Sequence, residues 1–161
     1  MSFKILTIAF VAFSFSLFAN SKKEGKMTFL SKHISIVINR TPSDVYDFAS
    51  RPENMPKWAA GLSGSIKKEG DHWISTSPMG KVKVTFTEKN NFGVLDHDVT
   101  LDSGKMFHNP LRVIKNHKGS EVIFTLFRQP GMTDQDFNRD AGMVVKDLEK
   151  LKAIMEKPPV K

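Results

Sequence analysis

His97 is the side chain best placed for acid–base chemistry, because it lies within an alternating apolar segment, residues 94–101. Leu95, His97, Val99 and Leu101 occupy one set of alternate positions, and this set is apolar apart from the histidine. Alternate side chains of a strand point to the same face, so the pattern predicts that His97 points inward. An imidazole there is a candidate catalytic acid or base, or a contact for a polar ligand group. The alternative is a core histidine bonded to a backbone carbonyl, or one at a cavity rim.

Asn109 is a candidate polar contact inside a pocket. It shares alternate positions with Phe107 and Leu111 in segment 106–114, and that set is the more apolar one. Proline lacks the N–H that a strand donates, so Pro110 predicts a bulge or a sheet edge at this point. Either feature would reverse the orientation of Asn109.

Arg128 and Asp140 are charged candidates beside apolar surfaces. Arg128 ends an apolar strand face and is a candidate anchor for an anionic head group, with a solvated strand end as the alternative. Asp140 adjoins the apolar stripe of a helix, between Phe137 and Val144, and is a candidate catalytic partner of His97. An ion pair with a neighbouring cation is the alternative role for Asp140.

Aromatic side chains supply candidate walls for a ligand cavity, although plain core packing is the alternative for each of them. The aromatic candidates are Tyr46, Trp58, Trp73, Phe86 and Phe107. The full set of predicted ligand contacts is Trp58, Trp73, Phe86, His97, Phe107, Asn109 and Arg128.

The composition argues against several other chemistries. The 161 residues include no cysteine, which excludes a disulfide framework, cysteine-based zinc sites and a thiol nucleophile. The five histidines form no H-x-x-x-H or H-E-x-x-H pair, so we predict no metal site and no cofactor. The formal net charge of +7 is scattered over turns, strand faces and a mixed-charge helix. This distribution indicates solubility, or at most weak contact with an anionic surface, and no nucleic-acid partner.

Residues 1–19 have the order of a secretory signal, with Lys4 as the only charge before an apolar run from Ile5 to Ala19. A membrane-spanning helix needs roughly 20 apolar residues, which is longer than this run. We therefore expect cleavage near Ala19 and a periplasmic or secreted protein, with an uncleaved anchor as the main alternative. Residues 20–28 are expected to form a flexible tether.

Strand patterns dominate the rest of the chain, which predicts one α+β domain over residues 29–157 and a short tail over 158–161. The first strand covers residues 29–40 and is rich in β-branched side chains. Turn signals then divide six further predicted strands, over 62–68, 72–77, 81–89, 92–101, 105–115 and 120–128. This spacing predicts a meandering antiparallel sheet.

Helix signals appear after the first strand and at the end of the chain. Thr41 begins a short helix, with Pro42 at the first helical position and an acidic residue three positions after the cap. A second short helix is predicted over 52–58, and Thr133 begins a long amphipathic helix that runs to about residue 156. A long amphipathic helix needs a broad apolar surface, which a curved seven-stranded sheet supplies.

Three segments near the start of the domain resemble those of a known superfamily. They are residues 33–38 (HISIVI), 41–48 (TPSDVYDF) and 51–58 (RPENMPKW). An apolar strand, a P-x-x-V-[FY]-x-[FY] helix and a P-E-N-x-x-x-W turn are typical of the START-like superfamily, also described as polyketide cyclase/dehydrase-like, SRPBCC or Bet v 1-like. The resemblance covers roughly residues 30–156 and implies a helix-grip fold, in which the curved sheet wraps around the long C-terminal helix.

Members of this superfamily bind lipids, sterols, hormones or polyketides in a cavity between the sheet and the long helix, and some are cyclases or dehydratases. The resemblance therefore implies a small hydrophobic or amphipathic ligand as the partner, bound by a monomer or dimer. Two alternatives remain: a cyclase- or dehydratase-type enzyme that uses His97 with Asp140 or Asn109, and a cell-envelope interaction module. No catalytic residues carry over, because the chain contains no subfamily-specific catalytic motif.

Overall fold

The computed structural model describes residues 27–62, 65–77 and 80–158 of the chain. The predicted signal, residues 1–19, lies outside the described residues, as do residues 20–26 of the predicted tether and 159–161 of the tail. None of the helices in the described ranges combines the length and the hydropathy that a membrane span requires.

Two α-helices form where capping and periodicity predict them, and a third, single-turn helix forms within the predicted segment 52–58. Helix α1 covers Pro42–Ala49, the single turn α2 covers Met55–Trp58, and the long α3 covers Asp134–Met155. Short 3-10 turns at Pro52–Asn54 and Ala60–Leu62 flank α2. Closely spaced prolines keep this part of the chain in short helical pieces, because each proline removes a backbone donor.

Threonine side chains cap both longer helices, as predicted. Thr41 Oγ1 accepts the Asp44 backbone N–H at 3.2 Å. Thr133 Oγ1 accepts the Asp136 N–H at 3.1 Å, and the Asp136 carboxylate accepts the Thr133 N–H at 3.2 Å. Side-chain caps satisfy N–H groups that the first helical turn leaves unpaired, so these residues set where the helices begin.

Eight strands form two antiparallel sheets. Their bounds are β1 Ser31–Ile38, β2 Ile66–Glu69, β3 His72–Ser77, β4 Gly80–Phe86, β5 His97–Leu101, β6 Met106–Asn109, β7 Leu111–Asn116 and β8 Gly119–Phe127. One sheet has the order β1-β8-β7, and the other has the order β2-β3-β4-β5-β6. The predicted α+β helix-grip arrangement is confirmed, with eight strands where seven were predicted.

Pro110 accounts for the additional strand, because it divides the predicted strand 105–115 into β6 and β7. A proline cannot donate to the ladder, so regular pairing ends at this residue. Immediately beyond it, the Leu111 N–H donates to Asp96 Oδ1 at 2.9 Å, and the Arg112 guanidinium donates to the same carboxylate. The predicted irregularity at Pro110 is therefore present, and Asp96 compensates for the interrupted ladder.

The predicted strand 92–101 is shorter than expected and begins at His97. The Asn90 side chain explains the difference, because its Oδ1 accepts the N–H groups of Phe92 and Val94 at 3.0 and 3.2 Å. Its Nδ2 also donates to the Val94 carbonyl at 3.0 Å. Asparagine side chains of this kind compete with ladder pairing and stabilise a loop.

The core is closed at one end of the molecule and more open at the other. On α3, Leu148 and Leu151 are fully buried, and the helix packs against β1 and α2. On the inner face of β8, Val122 is 0% exposed, whereas Phe124 and Leu126 are half-buried. The inner apolar surface is therefore more accessible toward the end of β8, although Phe137 in the first turns of α3 is buried.

Candidate functional site

A cavity of about 210 Å³ lies where the ends of β6 and β8 meet the first turns of α3. Four apolar and five polar residues line it, and most of the exposed lining surface is apolar, as is usual for a small-molecule site. The lining residues are Lys105, Phe107, His108, Asn109, Leu126, Phe127, Gln129, Met132 and Asp140.

The apolar wall comes mainly from β6 and β8. Phe107 and Leu126 are half-buried although they belong to inner strand faces. Phe127 lies against Phe29, with ring centroids 6.5 Å apart. At the rim, Lys105 Nζ lies 4.9 Å from the centroid of the Phe107 ring, a cation–π distance. The result is an apolar surface that borders a basic group.

Two of the predicted polar residues meet at this cavity, although they are 31 positions apart in the chain. Asn109 is half-buried at the end of β6, and its Nδ2 lies 3.5 Å from the Phe107 carbonyl. Asp140 is half-buried in α3, with its carboxylate 3.4 Å from Arg139 Nη2. Both contacts are long, so the amide and the carboxylate retain capacity to bond a polar ligand group.

Arg128 lies next to the cavity and is engaged by the loop that leads into α3. Its Nε and Nη2 donate to the Met132 carbonyl at 3.1 and 2.8 Å, and its Nη1 lies 2.6 Å from Asp134 Oδ1. These contacts hold Gln129 and Met132 where they line the cavity. The guanidinium therefore positions the cavity wall, and its predicted role as an anchor for an anionic head group stays a prediction.

His97 points inward, as the alternation predicts, and is only 6% exposed. Its ring lies 5.7 Å from the Phe86 ring, and its Nδ1 lies 3.2 Å from the Leu95 carbonyl oxygen. Burial lowers the pKa of His97 to about 4, so the ring is neutral at pH 7. This geometry matches the alternative role of a core histidine bonded to a backbone carbonyl.

His97 and Asp140 line different spaces, so the structure does not assemble them into one cavity. His97 borders a small gap of about 20 Å³ together with Trp58 and Phe86. Asp140 borders the larger cavity, which is also lined by Asn109, the residue paired with His97 across β5 and β6. The remaining predicted residue, Trp73, is half-buried on β3 and packs against the core.

A second, larger hollow of about 670 Å³ opens on the outer surface between α1 and residues 89–93. Lys89 Nζ lies 2.9 Å from Asp47 Oδ1 at its edge, and the Asn90 N–H donates to the Tyr46 hydroxyl oxygen at 2.8 Å. Exposed Phe92 contributes an apolar surface. The exposed lining of this hollow is mostly polar, whereas that of the cavity beside α3 is mostly apolar.

Sequence reasoning missed several residues of the cavity. Gln129 and Met132 lie in the turn between β8 and α3, where no periodic pattern shows which way a side chain points. Leu126 was recognisable as an inward residue from its alternation with Phe124, although not as a cavity residue. Within the described ranges, no group of three histidine or carboxylate side chains is close enough together to hold a metal ion.

Comparison with known proteins assigns the chain to a family. A family model described as polyketide cyclase/dehydrase and lipid transport matches residues 32–156, well over half of the chain. The chain matches no curated protein.

Solved structures of similar fold cover most of the chain. An uncharacterized protein from Bacillus thuringiensis has a TM-score of 0.65 and 15% identity, over 80% of this chain and 100% of that one. XoxI from Bacillus cereus has a TM-score of 0.63 and 15% identity, over 78% and 94% of the two chains. The Aha1 dimer from Colwellia psychrerythraea has a TM-score of 0.65 and 14% identity, over 81% and 99%. At these identities the likeness shows the fold alone.

Proposed function

Because the chain belongs to the polyketide cyclase/dehydrase and lipid transport family, we propose that it binds a small hydrophobic or amphipathic molecule beside α3. The observation that carries this proposal is the cavity of about 210 Å³, with half-buried apolar walls at Phe107 and Leu126. Burying a ligand's apolar surface there removes it from water, which is the main driving force for such binding.

The size and the lining narrow the ligand class. Sites for drug-sized molecules usually measure about 300–1,000 Å³, so the cavity suits a smaller molecule or one end of a longer one. Asn109 and Asp140 offer hydrogen bonds inside, and Lys105 places a positive charge at the rim. An apolar body with one polar or anionic end fits this arrangement best.

Binding is favoured over catalysis by the position of the histidine. An acid or base must lie within hydrogen-bond reach of the proton that it transfers. His97 lines the small gap beside Trp58 and is not among the residues that line the cavity. The cyclase- or dehydratase-type alternative, which relies on His97, therefore has less support than a binding protein.

Filling the cavity tests the proposal. Leu126→Trp would place a larger ring in the cavity, and we expect at least about tenfold weaker binding, equivalent to about 1.4 kcal/mol. Ile123→Trp is the matched control, because Ile123 lies on the opposite face of the same strand. Octanoate and octanol titrations by calorimetry, with native mass spectrometry of co-purifying molecules, measure the effect. Equal affinity of the two variants, or no binding to the wild-type protein, would contradict the proposed site.

We also propose that residues 1–19 direct export and are removed near Ala19. The support is the order of charge, apolar run and small residue in the sequence. The intact mass of protein recovered from the periplasm of an expressing bacterium should correspond to a chain that begins at Asn20. A mass that retains Met1 would instead support an uncleaved anchor.

A further inference from the structure

The indole of Trp58 is a buried polar group whose hydrogen-bonding capacity the protein does not use. Trp58 is 3% exposed at the end of α2. Among the described residues, its Nε1 is the buried side-chain polar atom that has no hydrogen-bond partner. Nearly all buried polar groups in proteins are paired, and an indole N–H is a donor only. The Trp58 N–H therefore still needs a hydrogen-bond acceptor.

The space beside this indole is the right size for one small polar group. The gap that Trp58 borders has a volume of about 20 Å³. Its other lining residues are Ala49, Ser50, Met55, Phe86, Thr87, Lys89, Leu95, Asp96, His97 and Leu111. A volume of about 10–15 Å³ on this measure is enough for a single water-sized group. The gap itself thus admits one oxygen atom with its hydrogens, and a hollow of about 140 Å³ that shares Phe86, Thr87 and His97 with it leaves room for the rest of a small ligand.

His97, which lines the same gap, supplies a complementary hydrogen-bonding group. Its Nδ1 lies 3.2 Å from the Leu95 carbonyl oxygen, which can only accept a hydrogen bond. Nδ1 therefore carries the proton, and in the neutral ring the other nitrogen, Nε2, is an acceptor. The gap therefore brings the Trp58 indole donor and the His97 ring together, and Ser50, Thr87, Lys89 and Asp96 also line it.

We propose that the gap between Trp58 and His97 binds one hydroxyl oxygen, which accepts the Trp58 Nε1–H bond and donates its own proton to the His97 ring. A hydroxyl both donates and accepts, whereas a carbonyl would leave the histidine unpaired and an ammonium would leave the indole unpaired. The hydroxyl belongs either to a buried water molecule or to a ligand. The inference goes beyond the cavity beside α3 and does not depend on it.

The chain offers a clean probe, because it contains only two tryptophans. With ¹⁵N-labelled indoles, two N–H signals are expected, and Trp73→Phe identifies the one that belongs to Trp58. Phenol and toluene are the probes, because they have nearly the same shape and only phenol has a hydroxyl. The readouts are the Trp58 indole shift and its nuclear Overhauser effect with bound water.

Each outcome decides the proposal. A nuclear Overhauser effect between water and the Trp58 indole that phenol does not change identifies a bound water as the hydroxyl. A shift caused by phenol and not by toluene, with no remaining water signal at the indole, identifies a ligand hydroxyl. Absence of both effects, or equal shifts with phenol and toluene, overturns the proposal. None of these outcomes depends on whether octanoate or octanol binds the cavity beside α3.

Two substitutions of His97 test whether the effect at the Trp58 indole needs the acceptor nitrogen of the histidine or only its packing. His97→Gln retains an acceptor near the position of Nε2, so the Trp58 effect should persist. His97→Phe removes the acceptor and should abolish the effect while the Trp73 indole signal stays unchanged. Retention of the Trp58 effect in the phenylalanine variant would remove His97 from the site. If that variant does not fold, the wild-type and glutamine measurements still decide the proposal.

Discussion

Replacing Gly93 by alanine is expected to lower the free energy of unfolding by about 2–5 kcal/mol, the sum of backbone strain and overpacking. Gly93 has a φ of 70°, a conformation that side chains with a Cβ rarely adopt. A Cβ at this position would lie 2.1 Å from the Val113 carbonyl oxygen. The neighbouring backbone is held in place, because the Val113 N–H donates to the Gly93 carbonyl at 2.9 Å.

Gly104→Ala is the matched control for this substitution. Gly104 has a φ of 81°, but its Cβ would have no neighbour within 4 Å. Gly104→Ala should therefore lower the free energy of unfolding only by the backbone strain, about 1–2 kcal/mol. Urea denaturation of both variants measures the difference. Equal losses would show that the close approach to Val113 does not constrain the loop that leads into β5.

Lowering the pH from 7 to 4 is expected to destabilise the folded protein through His97. Burial lowers the pKa of His97 in the folded state from 6.5 to about 4. Above pH 6.5, His97 is neutral in both the folded and the unfolded protein. In this range it therefore makes no pH-dependent contribution to the free energy of unfolding. Between pH 6.5 and 4 the unfolded chain binds a proton that the folded protein excludes. The free energy of unfolding should therefore fall by about 1.4 kcal/mol per pH unit, or roughly 3 kcal/mol in all.

His97→Asn should remove this contribution, because asparagine does not titrate and can still donate toward the Leu95 carbonyl. The measurement is urea denaturation of wild type and variant at intervals from pH 7.5 to 4. His117→Asn is the matched control: His117 is exposed and has a φ of 53°, a conformation that asparagine tolerates. A parallel pH dependence of wild type and His97→Asn would show that His97 is not held neutral by burial.

Much of the local structure follows directly from short stretches of sequence. Thr41 and Thr133 cap their helices because a threonine oxygen bonds N–H groups only two or three residues away. His97 points inward because strand geometry alternates strictly, whatever the rest of the fold does. The P-E-N-x-x-x-W segment that ends at Trp58 indicates the superfamily through its own residue types and spacing.

Other local features depend on contacts that periodicity does not encode. The strand predicted over 92–101 begins at His97 because the Asn90 amide bonds the backbone of the preceding loop. The predicted strand 105–115 is divided at Pro110, and Asp96, from the neighbouring segment, accepts the displaced Leu111 N–H. The first correction arises from a side chain that competes with the sheet for backbone groups, and the second from a proline that cannot donate to the ladder.

The candidate site itself depended on tertiary structure. The sequence by itself determined the family, the element order and which residues point inward, because these follow from local spacing. It did not determine how deeply an inward residue is buried, since that depends on sheet curvature and on how α3 covers it. Leu148 and Leu151 close one end of the core, whereas Leu126 remains accessible where α3 begins. That difference brings Asn109 and Asp140 to one cavity and leaves His97 beside Trp58 in another space.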